Sequence, residues 1–307
     1  MKPIALYLPA FHKTLVNDQT WGENWTEWDN LRRWKPQFDG HILYRPHQDI
    51  GEYDLLNIKT RRKQAEIAKK YGIYGFGVYH YWFNRELVLE QPYELMLLDN
   101  EPNLPFFFIW ANETWSKRWD GSENIVIKSQ TYGDEDEWYD HAIYLKKFLE
   151  HGNYISINNN RVIGLYRPAT IPRLSERINF YKKILGNDII FLSLYGTFPK
   201  QQSPGNYPYL DGCIEFAPFV KSHNWRDFSI QKHQSLFYGI SPGFDNSPRC
   251  MERYTRFYAP NIRQQLEDIK NQEYVFINAW NEWGEQAVIE PSDITGYSNL
   301  ETISEYV

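Results

Sequence analysis

Two glutamates, Glu282 and Glu285, stand three residues apart in "VFINAWNEWGEQ" at 275–286, directly after an apolar run that reads as a buried strand. Trp280 and Asn281 precede them, and Trp283 stands between them. Two carboxylates among aromatic rings supply what cleavage of a glycosidic bond requires. One must stay protonated to donate to the leaving oxygen, and burial against apolar rings raises its pKa toward neutrality. The other must be ionised, to act as nucleophile or base. The same spacing fits two loop carboxylates or charges at a helix start, so spacing alone leaves both readings open.

Chemistry of this kind needs a scaffold that gathers side chains from distant parts of the chain. Strand-like runs fall at 4–8, 75–81, 105–110, 161–166, 188–195, 212–216, 239–245 and 273–280, which makes eight. Helix-period apolar residues lie between them: Ile58, Ala65, Ala68 and Tyr71; Trp138, Leu145 and Phe148; Leu174, Ile178, Tyr181 and Leu185; Ile262, Leu266 and Ile269. An acidic first turn (Asp134, Glu135, Asp136), Pro172 and Pro260 mark helix starts, and Gly72 and Gly186 follow helices as αβ loops want. Apolar strands alternating with helices predict a parallel sheet covered on its outer face. Eight such units in 307 residues predict an α/β fold, a single (β/α)8 TIM barrel over 1–307 with elaborated βα loops at 9–56, 111–133 and 196–238. A doubly wound sheet would carry a glycine-rich loop after its first strand, and "PAFHKTLVND" has no glycine.

A barrel enzyme builds its site at the carboxyl ends of its strands. Polar and aromatic residues gather there: His12 after strand one; Tyr79, His80, Tyr81 and Trp82 after strand two; Asn112 and Glu113 after strand three. Tyr166 and Arg167, Tyr195, Glu215, and Asp245 with Asn246 follow the next four, and Asn281, Glu282, Trp283 and Glu285 the last. His80, Tyr81, Trp82, Asn112 and Glu113 read as sugar contacts. Trp115 and Trp119 stand in a loop that either stacks on sugar or simply packs. Trp21, Trp25 and Trp28 fall at helical spacing and read as a packed stripe, with Glu27 its functional member. Asp245 and Arg249 in "GFDNSPR" fit a loop-holding ion pair and ligand contact equally well.

Composition narrows the classes. A hydrophobic share of 42%, a charged share of 23% and a net charge of −6 describe a globular, mildly acidic chain and argue against nucleic acid or an anionic membrane as partner. Aromatic residues reach 17%, many beside Asn, Asp, Glu and Arg, a combination that matches the apolar faces and hydroxyl rims of sugars. Cys213 and Cys250 form neither a disulfide framework nor metal spacing, and the eight histidines make no zinc motif; His41 and His47 read as structural. No metal or cofactor is expected. The acidic run at 134–136 resembles a nucleotide-sugar metal motif, yet it opens a helix and reads as a cap. Neither a signal-peptide pattern nor a membrane-length apolar stretch stands out, which predicts a cytoplasmic protein without membrane insertion. Oligomeric state leaves no mark in the sequence.

"YLPAFH", "NWTEW", "YGIYGFGVYHYWFN", "WANETWSKRWDG", "GFDNSPR" and "INAWNEWGEQAVIEP" together resemble the WbsX-type proteins of bacterial polysaccharide gene clusters. These are related to glycoside hydrolase family 99, the endo-α-mannosidase-like enzymes. The resemblance implies a (β/α)8 barrel that acts with retention on α-mannosidic bonds. It implies that Glu282 assists the sugar's own 2-hydroxyl in attack on the anomeric carbon, with Glu285 as general acid and then base. Tyr7 and His12 enter as sugar contacts only through this resemblance. Gln286 departs from the pattern, which carries glycine after the second glutamate. The expected partner is an oligo- or polysaccharide. A glycosyltransferase or transglycosylase on the same rim is the alternative, and a carbohydrate-binding protein on the same fold the second.

Overall fold

The computed structural model of the chain describes residues 1–117, 125–196, 206–219, 231–257 and 261–307. Eight strands pair in parallel and the last closes on the first. They are β1 (Lys2–Tyr7), β2 (Gly75–Phe83), β3 (Phe106–Trp110), β4 (Asn160–Leu165), β5 (Ile189–Tyr195), β6 (Gly212–Glu215), β7 (Ser235–Ile240) and β8 (Tyr274–Ile277). The helices are α1 (Leu15–Trp21), α2 (Trp28–Arg33), α3 (Ile58–Lys70), α4 (Gln91–Asp99), α5 (Glu135–Leu149), α6 (Leu174–Leu185), α7 (Ile262–Asp268) and α8 (Ser298–Ser304). This closed ring is a (β/α)8 barrel, the architecture that the alternating pattern predicts.

Local chemistry sets the helix starts. The Asp134 side chain accepts the Glu137 amide at 3.3 Å, so the acidic run at 134–136 caps α5. Asn57 and Asn261 cap α3 and α7 in the same way. Pro260, the expected start of α7, lies outside the described residues. Gly72 and Gly186 follow α3 and α6 with φ of +75° and +106°.

Strand seven sits earlier than the expected 239–245. Its first half pairs with Gly212–Ile214 of β6 and its second with Val275–Ile277 of β8. Pro242 has no amide to donate, so the chain leaves the sheet after Ile240, and the Ser241 hydroxyl donates to the Gly243 carbonyl at 2.8 Å. The expected long loop at 196–238 therefore contains β6 and the start of β7.

Strand pleating decides which residues can reach the mouth. A side chain at Gly77 would come within 2.9 Å of the Phe107 ring and 3.1 Å of Leu6, so this face of β2 points to the barrel axis. Phe107 and Phe276 meet there with ring centres 6.0 Å apart. By the two-residue period, Tyr79 and Tyr81 share this inward face, while Val78, His80 and Trp82 face the helices. Among the described residues no helix is long and apolar enough to cross a membrane.

Candidate active site

The carboxylates are placed by a short antiparallel pair, Asn281–Glu282 with Ala287–Val288, which encloses a 3-10 turn over Trp283–Glu285. The flanking tryptophans hold this turn. The indoles of Trp280 and Trp283 donate to Glu290 at 3.1 and 3.0 Å, and Gln64 and the Tyr53 hydroxyl donate to it at 2.8 Å each. Burial still pushes Glu290 up to about 7 despite these four donors. Gln286 occupies the left-handed region at φ +52°, a conformation natural to glycine. Its side chain donates to the Trp283 carbonyl at 2.8 Å and accepts the Tyr44 amide at 2.6 Å, which ties the turn to the loop after β1.

Arg249 organises the centre. It lies in a helical turn, Ser247–Cys250, in the loop after β7, and its side chain is only 5% exposed. Nη1 donates to Glu285 at 2.8 Å and Nη2 to Glu282 at 3.1 Å, while Nε lies 3.4 Å from Glu27. Gly284 makes this approach possible, since a Cβ there would stand 2.6 Å from Arg249 Nε. One cation faces three carboxylates. Burial raises the pKa of Glu282 to about 8 and raises Glu285 as well, with Arg249 opposing the shift and Glu27 reinforcing it. The pair therefore holds a proton near neutrality.

Glu282 and Glu285 line an open cleft with Tyr79, Tyr81, Glu113 and Tyr166. Burial pushes Glu113 up to about 7, opposed by Arg167, whose guanidinium is 3.7 Å away. Glu113 also borders a polar cleft lined by Gln130, Tyr132 and Arg167. Burial and the Glu282 charge hold the phenols of Tyr79 and Tyr81 well above their ordinary range, so both stay protonated. Among the described residues no three His, Cys, Asp or Glu side chains are grouped to hold a metal ion.

Several expected sugar contacts lie elsewhere. His80 and Trp82 face outward: His80 bonds His141 of α5 at 2.9 Å, and Trp82 donates to Glu137. Tyr7 also faces out, its hydroxyl donating to Gln64 of α3 at 2.8 Å. His12 is buried in the loop after β1, and burial holds it down to about 4. Asn112 is fully buried and staples two loops, donating to the Arg167 carbonyl and accepting its amide, both at 2.8 Å. Asn281 does the same for Leu8, donating to its carbonyl at 3.0 Å and accepting its amide at 2.8 Å. Trp283 is completely buried on Glu290 and offers no stacking face. Tyr195 packs on Cys213 and Leu236, and Glu215 accepts the Gly239 amide at 3.2 Å, within the barrel wall. Asp245 pairs with His41 at 2.8 Å rather than with Arg249, which makes it a loop fastener. Trp119 lies outside the described residues. Tyr81, Glu113, Glu282 and Glu285 meet at the cleft, and Glu27 and Trp115 border the adjoining pocket. Sequence reasoning missed the roles of Tyr79, Arg249 and Glu290; for Glu290 the signal was a third carboxylate in the same run.

The fold and this site define an eight-stranded α/β barrel with a buried carboxylate pair at the carboxyl rim. The family model described as "Glycosyltransferase WbsX" matches residues 3–235 and 221–303, and the chain belongs to that family. WxcX proteins from two strains of Xanthomonas campestris pv. campestris are 31% identical to it over 338 residues, covering 97% of this chain. The chain spans about half (48%) of the length of these relatives. Among solved structures, a glycoside hydrolase-like protein superposes with a TM-score of 0.63 at 12% identity, over 99% of this chain and 93% of that one. A family 99 endo-α-mannosidase from Bacteroides thetaiotaomicron gives 0.60 at 14% identity, over 99% and 96%. At these identities the likeness establishes the fold.

Proposed function

We propose that the chain is a glycoside hydrolase-like enzyme that cleaves an α-linked, mannose-like residue in a bacterial surface polysaccharide, with retention of configuration. The observation that carries this reading is the seating of Glu282 and Glu285 on one buried guanidinium, at the wall of a tyrosine-lined cleft. The fold shared with a solved endo-α-mannosidase supports it.

Both carboxylates come from one turn, which suits a substrate-assisted route better than attack by one of them from the opposite face of the ring. Glu282, with 8% of its side chain exposed, lies deeper than Glu285 at 20%. A sugar 2-hydroxyl donating to Glu282 stabilises its ionised form and moves the shared proton to Glu285. Glu285 then donates to the leaving oxygen while the 2-hydroxyl, losing its proton to Glu282, attacks the anomeric carbon. The 1,2-anhydro sugar so formed is opened by water, which Glu285 deprotonates while Glu282 returns its proton to the departing O2. Two inversions give net retention.

A transferase using the same rim in the building direction is the second reading, favoured by the description of the family. Incubation with surface polysaccharide, with and without nucleotide sugars, separates the two. New reducing ends without nucleotide sugar are expected; extension only when it is added refutes hydrolysis.

A further inference from the structure

The cleft at Glu282 and Glu285 has two unlike sides. Carboxylates and phenols from β8, β2 and the loop after β3 form one of them. The other is phenylalanine. Among the described residues, the loop after β6 and the start of the loop after β7 line the cleft with Phe216, Phe219 and Phe244 alone. Phe216 and Phe244 are buried and Phe219 is half-buried. We propose that this wall selects a methyl group on C5 of the sugar, so that the residue bound at the carboxylates is a 6-deoxyhexose of manno configuration.

The inference rests on the glycosidase reading of this cleft and names its substrate class. Shape carries it first. Phe219 meets Phe244 and Phe257 edge-on, at 5.1 and 5.3 Å, while it lies parallel to Phe216 at 5.9 Å. The rings make a corner, not the single flat face on which a pyranose stacks. Position carries it next. In a ring of eight strands β4 faces β8, and the wall begins at β4, where the Tyr166 ring meets Phe216 edge-on at 5.9 Å. C5 lies across a pyranose ring from C2. A sugar with its 2-hydroxyl on Glu282 therefore turns its C5 substituent away from the β8 turn and toward the wall. The wall is also fixed in place. The Phe216 amide donates to the Tyr195 carbonyl at 2.6 Å, the Asn278 side chain donates to the Ala217 carbonyl at 2.8 Å, and Phe244 pairs with Phe257 in a short antiparallel ladder. A methyl group in this corner leaves water for apolar contact, whereas the hydroxyl of a hydroxymethyl group there gives up its water without gaining a partner.

The test uses 4-nitrophenyl α-D-mannoside and its 6-deoxy analogue, which differ only in the oxygen on C6. Binding to the Glu285→Gln protein is read by saturation-transfer NMR with competition between the two, and kcat/KM is read on the wild type. The 6-deoxy sugar is expected to be favoured about ten- to a hundredfold in both. Phe219→Asn, which puts an amide at the wall, should shrink that ratio severalfold by weakening the 6-deoxy sugar and strengthening the mannoside. Phe219→Leu keeps the wall apolar and should keep the preference. Equal affinities, tighter binding of the mannoside, a ratio that Phe219→Asn leaves unchanged, or binding of neither sugar overturns the inference. A preference for the 6-deoxy sugar that Phe219→Asn erodes, in a protein that cleaves neither, leaves the methyl-selecting wall standing and removes the hydrolase reading.

Discussion

Replacing Arg249 with methionine removes the only cation that touches both Glu282 and Glu285 among the described residues, at 3.1 and 2.8 Å, and keeps much of the side-chain volume. An opposite charge at this distance lowers a carboxyl pKa by about 1–3 units, so its loss raises the pair by a similar amount. Glu282 starts high, at about 8. The catalytic base must be ionised, and the population ionised at pH 7 falls by one factor of ten for each unit, so kcat/KM should drop by about 10–1000-fold. The acidic limb of the pH profile moves to higher pH, and part of the activity returns in alkali. Arg249→Lys keeps the charge and should leave that limb near its original position while lowering the plateau. Stability follows the same sign. Stranding buried carboxylates costs about 3–5 kcal/mol where they are ionised, so the melting temperature of Arg249→Met should fall more at pH 9 than at pH 5. The assay is kcat/KM from pH 5 to 9 beside calorimetric melting at both ends. An acidic limb that does not move in Arg249→Met refutes the reasoning.

Other expectations follow from the same geometry. Glu113, Glu282 and Glu290 have folded pKa values near 7, 8 and 7 against an ordinary 4.5, so the native state binds extra protons in that interval and loses stability as pH rises through it. His12 and His80, held down to about 4 and 3 from 6.5, act oppositely below pH 6.5. Melting temperatures should therefore fall gently from pH 4.5 to 6.5, where the three carboxyls outweigh the two imidazoles, and more steeply from 6.5 to 8; a steady rise across the second interval contradicts this. Gly284→Ala pushes a methyl group against Arg249 Nε and should cut kcat by about tenfold or more, measured beside an unchanged far-ultraviolet spectrum. Glu290→Gln sets an amide N–H against donors and should cost about 2–4 kcal/mol in urea denaturation, more than Glu285→Gln. Tyr81→Phe should alter kinetics with little change in melting, whereas His80→Phe should lower the melting temperature and leave KM unchanged.

The barrel was legible because its strands are apolar runs bounded by helix-period stretches, and only strand seven slipped, where "SLFYGI" at 235–240 carries a weaker apolar signal than its neighbours. The carboxylate pair was legible for the same local reason, since both members and their tryptophans share one run. What stayed hidden was direction. All nine residues of β2 are buried, so no polar alternation marks Tyr79 and Tyr81 as inward and His80 and Trp82 as outward. Convergence was hidden too. Glu27 and Arg249 stand 222 positions apart, and no local pattern announces that one guanidinium will gather carboxylates from two loops. Asn112 and Asn281 misled in a consistent way: a polar residue at a strand end can serve the fold by mimicking backbone, as both do here, rather than face a ligand.

The division of labour between Glu285 and Glu282 is the central claim, and leaving-group dependence tests it most directly. Wild type, Glu285→Gln and Glu282→Gln would be assayed on α-mannosides whose leaving groups range from a sugar alcohol to an activated phenol. If Glu285 is the acid, its variant loses cleavage of the alcohol, where protonation is required, yet retains much of the rate on the phenol, where it is not. Glu282→Gln should be inactive on both, because the 2-hydroxyl needs its base whatever departs. Equal losses in Glu285→Gln across the series, or rescue of Glu282→Gln by the activated phenol, would contradict the account.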